Sequence, residues 1–160
     1  MSGFSNKCFI KHDDYMTPKY AWVDIKDYIP KKVIWEAFMG DGTSGTYLQE
    51  LNFDVIHEPI DFFENDKGEI IVSNPPFSQI KEILNRLKIL DKPFILILPS
   101  SKINTLYFRD WKNKIQIIIP KKRINFIKYI DGKLNNNKNC NFDCFYYCYK
   151  INLVHDITWL

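Results

Sequence analysis

Asn74-Pro75-Pro76-Phe77 ends an apolar run, Ile70-Ile71-Val72-Ser73. Prolines cannot continue a central strand, and two in a row fix a rigid turn where the run stops. The turn presents the Asn74 side-chain carbonyl, the Pro75 backbone carbonyl and the flat ring of Phe77. Two acceptors beside a stacking face suit a planar amino group. The same tetrapeptide also occurs in ordinary strand-to-loop turns, so a chemical reading needs a second site upstream.

That second site is the stretch Glu36-Ala37-Phe38-Met39-Gly40-Asp41-Gly42-Thr43-Ser44-Gly45. It lies between a predicted strand and a predicted helix. Glycines there let the backbone turn tightly and approach a ligand that a Cβ would exclude. Amides at the helix start would face an anion. Phosphate binding is one reading, but the lysine of a phosphate-binding loop is absent, and a purely structural turn is another. Glu58 follows the next predicted strand, where one carboxylate can accept from both hydroxyls of a ribose; a solvated loop acid is the alternative. Asp61-Phe62-Phe63 comes shortly after. Upstream, Asp14-Tyr15-Met16-Thr17-Pro18 has the pattern of a helix start with proline in the first turn.

In this order and spacing the motifs resemble those of S-adenosylmethionine-dependent amino-methyltransferases, especially adenine-N6 DNA methyltransferases of the Asn-Pro-Pro-Phe type, compact and phage- or virus-like. Glu36, Phe38, Gly40 and Gly42 match acid-x-Phe-x-Gly-x-Gly. The resemblance is clear over about residues 14–100 and loose beyond. It implies S-adenosyl-L-methionine as cofactor, with its methionine part held by this loop and by Thr17 and Pro18. It further implies a ribose contact from Glu58, an adenine contact from Asp61 and Phe62, and a catalytic Asn74, Pro75, Pro76 and Phe77, Asn74 also bordering the cofactor. Only a few residues separate Glu58 from Asp61, so one helix usual in that fold is expected to be missing. Two other readings remain open. One is a protein methyltransferase acting on a glutamine amide, which typically has Tyr where this chain has Phe77. The other is a non-catalytic methyltransferase-like subunit that binds nucleic acid.

Pro120-Lys121-Lys122-Arg123-Ile124-Asn125-Phe126-Ile127-Lys128 interleaves cations with apolar residues. Lysine and arginine there would meet phosphates, and Phe126 resembles in placement an aromatic that packs on the target base in related enzymes. A solvated edge strand with protective lysines is the competing reading. Lys102, Asn104, Arg109 and Lys112 follow another predicted strand and would also face nucleic acid, DNA first and RNA second. No segment is long enough for a separate target-recognition domain. Weak sequence recognition, single-stranded substrates, a homodimer or a partner subunit are the expected substitutes.

Elements that can position these groups are legible. Helical patterning covers residues 20–28, a helix follows the glycines to about Leu51, and residues 78–90 carry an amphipathic stripe through Ile80, Ile83, Leu84, Leu87 and Leu90. Strands are predicted over residues 33–38, 53–57, 69–73, 93–99, 115–119, 124–129 and 141–151, with a polar turn over 133–139 and a short helix or loop over 104–112. The alternation predicts a Rossmann-like α/β fold of the class I methyltransferase kind, mostly parallel with an antiparallel edge and flanked by helices. The chain is expected to be one domain over residues 1–160, with 1–11 as a tail.

The chain has 160 residues, 46% hydrophobic, and a net charge of +3, which permits a nucleic-acid partner without demanding one. No apolar run reaches membrane-spanning length, and no signal segment opens the chain, so a cytoplasmic, non-secreted protein is expected. Richness in Ile, Lys and Asn is compatible with an AT-rich viral or protist genome. Cys140, Cys144 and Cys148 recur every fourth residue in a strand-like aromatic segment. They share one face there and read as buried thiols, not a metal site; Cys8 stands apart. His12, His57 and His155 are scattered and read as non-catalytic.

Overall fold

The structure is a computed structural model that describes residues 15–130, 133–135 and 141–160. The expected tail, with Cys8, His12 and Asp14, lies outside the described residues, as does Cys140.

Strands β1 (Tyr15–Met16), β2 (Ile34–Trp35), β3 (Val55–Ile56), β4 (Ile70–Ser73), β5 (Phe94–Pro99), β6 (Ile115–Ile119), β7 (Ile127–Ile130), β8 (Lys133–Asn135), β9 (Cys144–Tyr149) and β10 (Ile157–Trp159) form two sheets. Helices α1 (Lys19–Val23), α2 (Thr43–Glu50) and α3 (Ile80–Leu90) flank the larger one. Its seven strands run in the order β10-β6-β9-β5-β4-β2-β3. All pair in parallel except β9, which is antiparallel to both β5 and β6. The fold class is the expected one. The antiparallel strand lies toward one edge, but β6 and then β10 lie outside it. β9 is buried on both faces, so its aromatic run needs cover that an outer position would not give.

Period-two alternation explains the layering. Ile95 and Ile97 of β5, Ile70 and Val72 of β4, and Tyr146 and Cys148 of β9 join Trp22 and Leu48 on one face. Phe94, Leu96 and Leu98, with Ile71 and Tyr147, pack on the other against Ile83, Leu84 and Leu87 of α3. Each fully buried large side chain contributes about 1.5–3 kcal/mol. This buried sheet is the rigid floor from which the loops project.

Several boundaries differ from the sequence reading. Residues 20–28 divide into α1 and a 3-10 turn at Lys26–Tyr28. The apolar positions Trp22, Ile25 and Tyr28 recur every third residue, the period of the tighter helix. The segment after β5 is two 3-10 turns, Ser100–Asn104 and Leu106–Trp111. β7 starts later than expected because Ile124 and Phe126 turn into the core. β8 occupies part of the expected polar turn and pairs with β7. β1 and β10 are too short to leave a periodic signal. Cys144 and Cys148 lie buried in β9, and burial pushes the Cys148 thiol up to about 12. Among the described residues no group of His, Cys, Asp and Glu could hold a metal, and no helix is long and apolar enough to cross a membrane.

Candidate active site

The parallel strands end at a common edge, and the order reverses beside β2: the chain leaves it for β3 on one side and returns to β4 on the other. Such a switch point opens a crevice between the loops. A cavity of about 240 Å³ lies there. Of the predicted residues, Thr17, Glu36, Phe38, Gly40, Glu58, Asn74 and Pro76 line it.

Asn74 follows the last residue of β4. Its Nδ2 donates to the Tyr15 carbonyl at 3.1 Å. A carbonyl only accepts, so this bond fixes which end of the amide is nitrogen. The other end, Oδ1, is buried and has no hydrogen-bond partner. An unpartnered buried acceptor costs about 1–3 kcal/mol unless something fills it. Tyr15 belongs to β1, which pairs with Ile127 and Lys128 of β7, so a strand from the second sheet orients the Asn74 amide.

Glu36, just beyond β2, is fully buried. Its Oε1 accepts from the Phe38 amide at 3.2 Å and from the Ser73 hydroxyl. Its Oε2 accepts from the Ser44 hydroxyl at 2.9 Å, and Ser44 in turn accepts from Trp22 Nε1 at 2.8 Å. Desolvation pushes the carboxyl up to about 8 despite those donors. Three segments, those following β2, starting α2 and ending β4, thus meet on one carboxyl.

The three glycines of the loop do different work. Gly40 and Gly42 have φ of +57° and +85°, the left-handed region that favours glycine. A Cβ on Gly42 would meet nothing within 4 Å, so the space above it is open. A Cβ on Gly45 would sit 2.4 Å from the His57 ring, so Gly45 lets α2 pack closely on the residue that follows β3. Asp41 Oδ1 accepts from the Thr43 amide at 3.0 Å and its hydroxyl at 2.6 Å, closing the first turn of α2.

The remaining predicted residues lie elsewhere. Pro18 is the buried N-cap of α1, and Gly42 is the N-cap of α2. Phe62 is in the core, not on the cavity: it is fully buried, 4.8 Å from Phe38 and 5.5 Å from Trp35 between ring centroids. An aromatic in that short loop had deeper apolar cover within reach. Asp61 Oδ1 accepts from the Phe63 amide at 2.8 Å, outside the cavity lining. Ile60 and Pro59, between Glu58 and Asp61, line it instead. Pro75 is buried and is not part of the lining. Phe77 stacks on Tyr15 at 6.3 Å and meets Phe126 and Phe142 edge-on. Phe126 is buried in that four-ring cluster.

Lys121 and Lys122 are exposed between β6 and β7, at the same edge as Asn74. Arg123 forms a two-pronged pair with Asp143, at 2.8 and 3.2 Å. Lys102 and Arg109 lie on the 3-10 turns after β5, Arg109 exposed. Sequence reasoning missed Ser44 and Gln79, both on the cavity. A hydroxyl in the first turn after the glycines and a polar residue at the mouth of α3 were the available signals.

The sequence matches no protein-family model and no curated protein. Among solved structures it is similar to a Listeria monocytogenes protein provisionally described as a class I S-adenosylmethionine-dependent methyltransferase. The TM-score is 0.52 at 10% identity, over 96% of this chain and 68% of that one. A Pyrococcus horikoshii protein, provisionally described as an RNA methyltransferase, gives 0.45 at 17% identity over 88% and 89%. The fold assignment rests on the first: this chain has a Rossmann-like class I methyltransferase fold.

Proposed function

We propose that this protein transfers a methyl group from S-adenosyl-L-methionine to the N6 amino group of adenine in nucleic acid, DNA before RNA. The observation that carries the reading is Asn74 Oδ1, buried and without a partner at the switch-point cavity. Its chemistry asks for a donor, and a planar amine supplies one.

The residues present fit the cofactor. Gly40 in the left-handed region, Thr17 and the buried Glu36 carboxyl line a cradle for a compact zwitterion. Gly40, Thr17 and Glu36 would hold its methionine part and Glu58 its ribose; Asp61 would need to move from its turn to reach the adenine. When bound, the cofactor supplies an electrophilic methyl on a sulfonium. The protein's share is positioning and charge. Adenine's exocyclic nitrogen is a poor nucleophile because its lone pair is delocalised into the ring. A hydrogen bond from that amine to Asn74 Oδ1 favours a more tetrahedral nitrogen and stabilises the positive charge that develops on it. Tyr15, which lines the cavity, would offer a ring beside it, with Phe77 stacked against Tyr15. A base in a duplex must leave the stack to arrive there, at about a few kcal/mol.

Charge supports a polyanionic substrate. Residues 100–123 hold Lys102, Arg109, Lys112, Lys114, Lys121, Lys122 and Arg123 against Asp110 alone, a net +6 in a chain whose total is +3. The protein with methyl-labelled cofactor and DNA, RNA or a protein mixture tests the reading. Label in N6-methyladenine after nucleoside digestion is expected. Label in glutamine, or no transfer to any substrate, overturns it.

A further inference from the structure

Gln79 ends the 3-10 turn Phe77–Gln79 and is the N-cap of α3, five residues after Asn74. Short side chains suit an N-cap because they fold back onto the free amides of the first turn. Glutamine is too long for that, and Gln79 makes no side-chain cap bond. Gln79 borders the cavity of Asn74 and also a second one beside Phe63 and Glu82. Gln79 Oε1 is buried, has no hydrogen-bond partner, and belongs to a residue lining the same cavity as Asn74. Two residues on one cavity wall therefore each hold a buried side-chain carbonyl without a hydrogen-bond partner. The intervening backbone is stiff: Pro75 and Pro76 fix two φ angles, and the Gln79 amide donates to the Pro76 carbonyl at 3.2 Å. Pro75, whose carbonyl the sequence suggested as the second acceptor, is not part of the cavity wall.

We propose that Gln79 Oε1 is the second acceptor for the target amine. This deepens the adenine-N6 reading and rests on it. A primary aromatic amine has two N–H bonds, and Asn74 Oδ1 and Gln79 Oε1 accept one each. The pair selects bases that carry an exocyclic amine over those that do not, because without the amine both buried carbonyls stay unsatisfied. As the nitrogen forms its bond to the methyl carbon, the carbon–sulfur bond would break with its electron pair left on sulfur, and the cationic amine would then lose one proton to solvent water. Both carbonyls stabilise the positive charge before that loss, so Gln79 acts in the transition state and not only in binding.

The test uses Gln79→Leu, which removes the acceptor at similar size, and Gln79→Glu, which keeps one. Methyl transfer to adenine-containing oligonucleotides, cofactor affinity by calorimetry and thermal unfolding are read for each. Gln79→Leu should lose on the order of tenfold or more in kcat/KM, Gln79→Glu should stay within several-fold of wild type, and cofactor affinity should hold in both. Equal losses in both variants, or none in Gln79→Leu, overturn the proposal. A second arm needs no turnover: binding of 2′-deoxyadenosine against the deoxyriboside of unsubstituted purine. Wild type should favour the amine-bearing base, and Gln79→Leu should weaken the preference to what Asn74 alone supplies; an unchanged preference in Gln79→Leu overturns the proposal. No preference in wild type overturns the acceptor role. Preference without methyl transfer overturns the catalytic reading and leaves Gln79 as an amine-binding residue.

Discussion

The two ends of the Asn74 amide differ: the nitrogen is held by the Tyr15 carbonyl and the oxygen is buried without a partner. Asn74→Ala removes both. Methyl transfer should fall by about a hundredfold or more, because an acceptor aimed at developing charge is lost. Cofactor affinity by calorimetry should change little, since the glycine loop is untouched. Turnover within several-fold of wild type would remove Asn74 from the chemistry. Glu36 offers a test of a different kind. Its polar contacts are Ser73, Ser44 and the Phe38 amide, and burial pushes its carboxyl up to about 8 from the ordinary 4.5. The folded state therefore binds more protons than the unfolded state between those values. Stability contributed by this group is present at low pH and is lost as pH rises through that window, up to about 8. Glu36→Gln should remove that slope, measured as the unfolding midpoint from pH 5 to 9. A cation in the cavity favours the carboxylate, so the wild type should bind S-adenosyl-L-methionine more tightly as pH rises toward 8, with proton release.

At the level of elements, the glycine loop and α2 separate into a part that faces a ligand and a part that packs. Gly45 lets α2 lie against His57, and a Cβ there has no room. Gly45→Ala should destabilise the fold by about 1–3 kcal/mol, seen as a lowered unfolding midpoint. Gly42 has open space above it and φ of +85°. Gly42→Val should leave circular dichroism native while costing cofactor affinity, because a branched side chain resists the φ of +85° and shifts the loop that puts Gly40 and Asp41 on the cavity. Unchanged affinity would make the loop a structural turn only. β1 is two residues long, yet it pairs with β7 and its Tyr15 carbonyl orients Asn74. A marginal strand thereby acquires a positioning role.

Across the whole molecule, the excess of positive charge follows β5 and β6, at the edge where the switch-point crevice opens. The lysines there are not equivalent to Arg123, which Asp143 engages. The double variant Lys121→Gln/Lys122→Gln should weaken nucleic-acid binding and flatten its log–log salt dependence by about two units or slightly less if both lysines meet phosphates. Arg123→Gln should flatten it less, because that charge is already committed within the protein. Titration of labelled single- and double-stranded oligonucleotides at several salt concentrations measures both, with cofactor affinity as the control. Unchanged affinity and slope would make the cluster a solvated edge.

The sequence by itself determined the layering and the order of the loops. The continuous apolar run of residues 93–99 became β5, buried on both faces, and the stripe of residues 80–90 became α3 with its apolar side against the sheet. Glycines and prolines marked the turns because their backbone limits are local. What followed from contacts between distant residues was decided only by the tertiary structure. Phe62 and Phe126 are aromatic and near the motifs, but whether a ring faces a ligand or the core depends on what lies above it, and here Phe38 and Phe142 do. β1 and β10 exist because a partner strand satisfies their backbone, a condition their own few residues do not encode. The unpartnered carbonyls of Asn74 and Gln79 belong to this second class. A sequence names an amide, but only the packed chain leaves its oxygen buried and without a partner in a residue on a cavity wall.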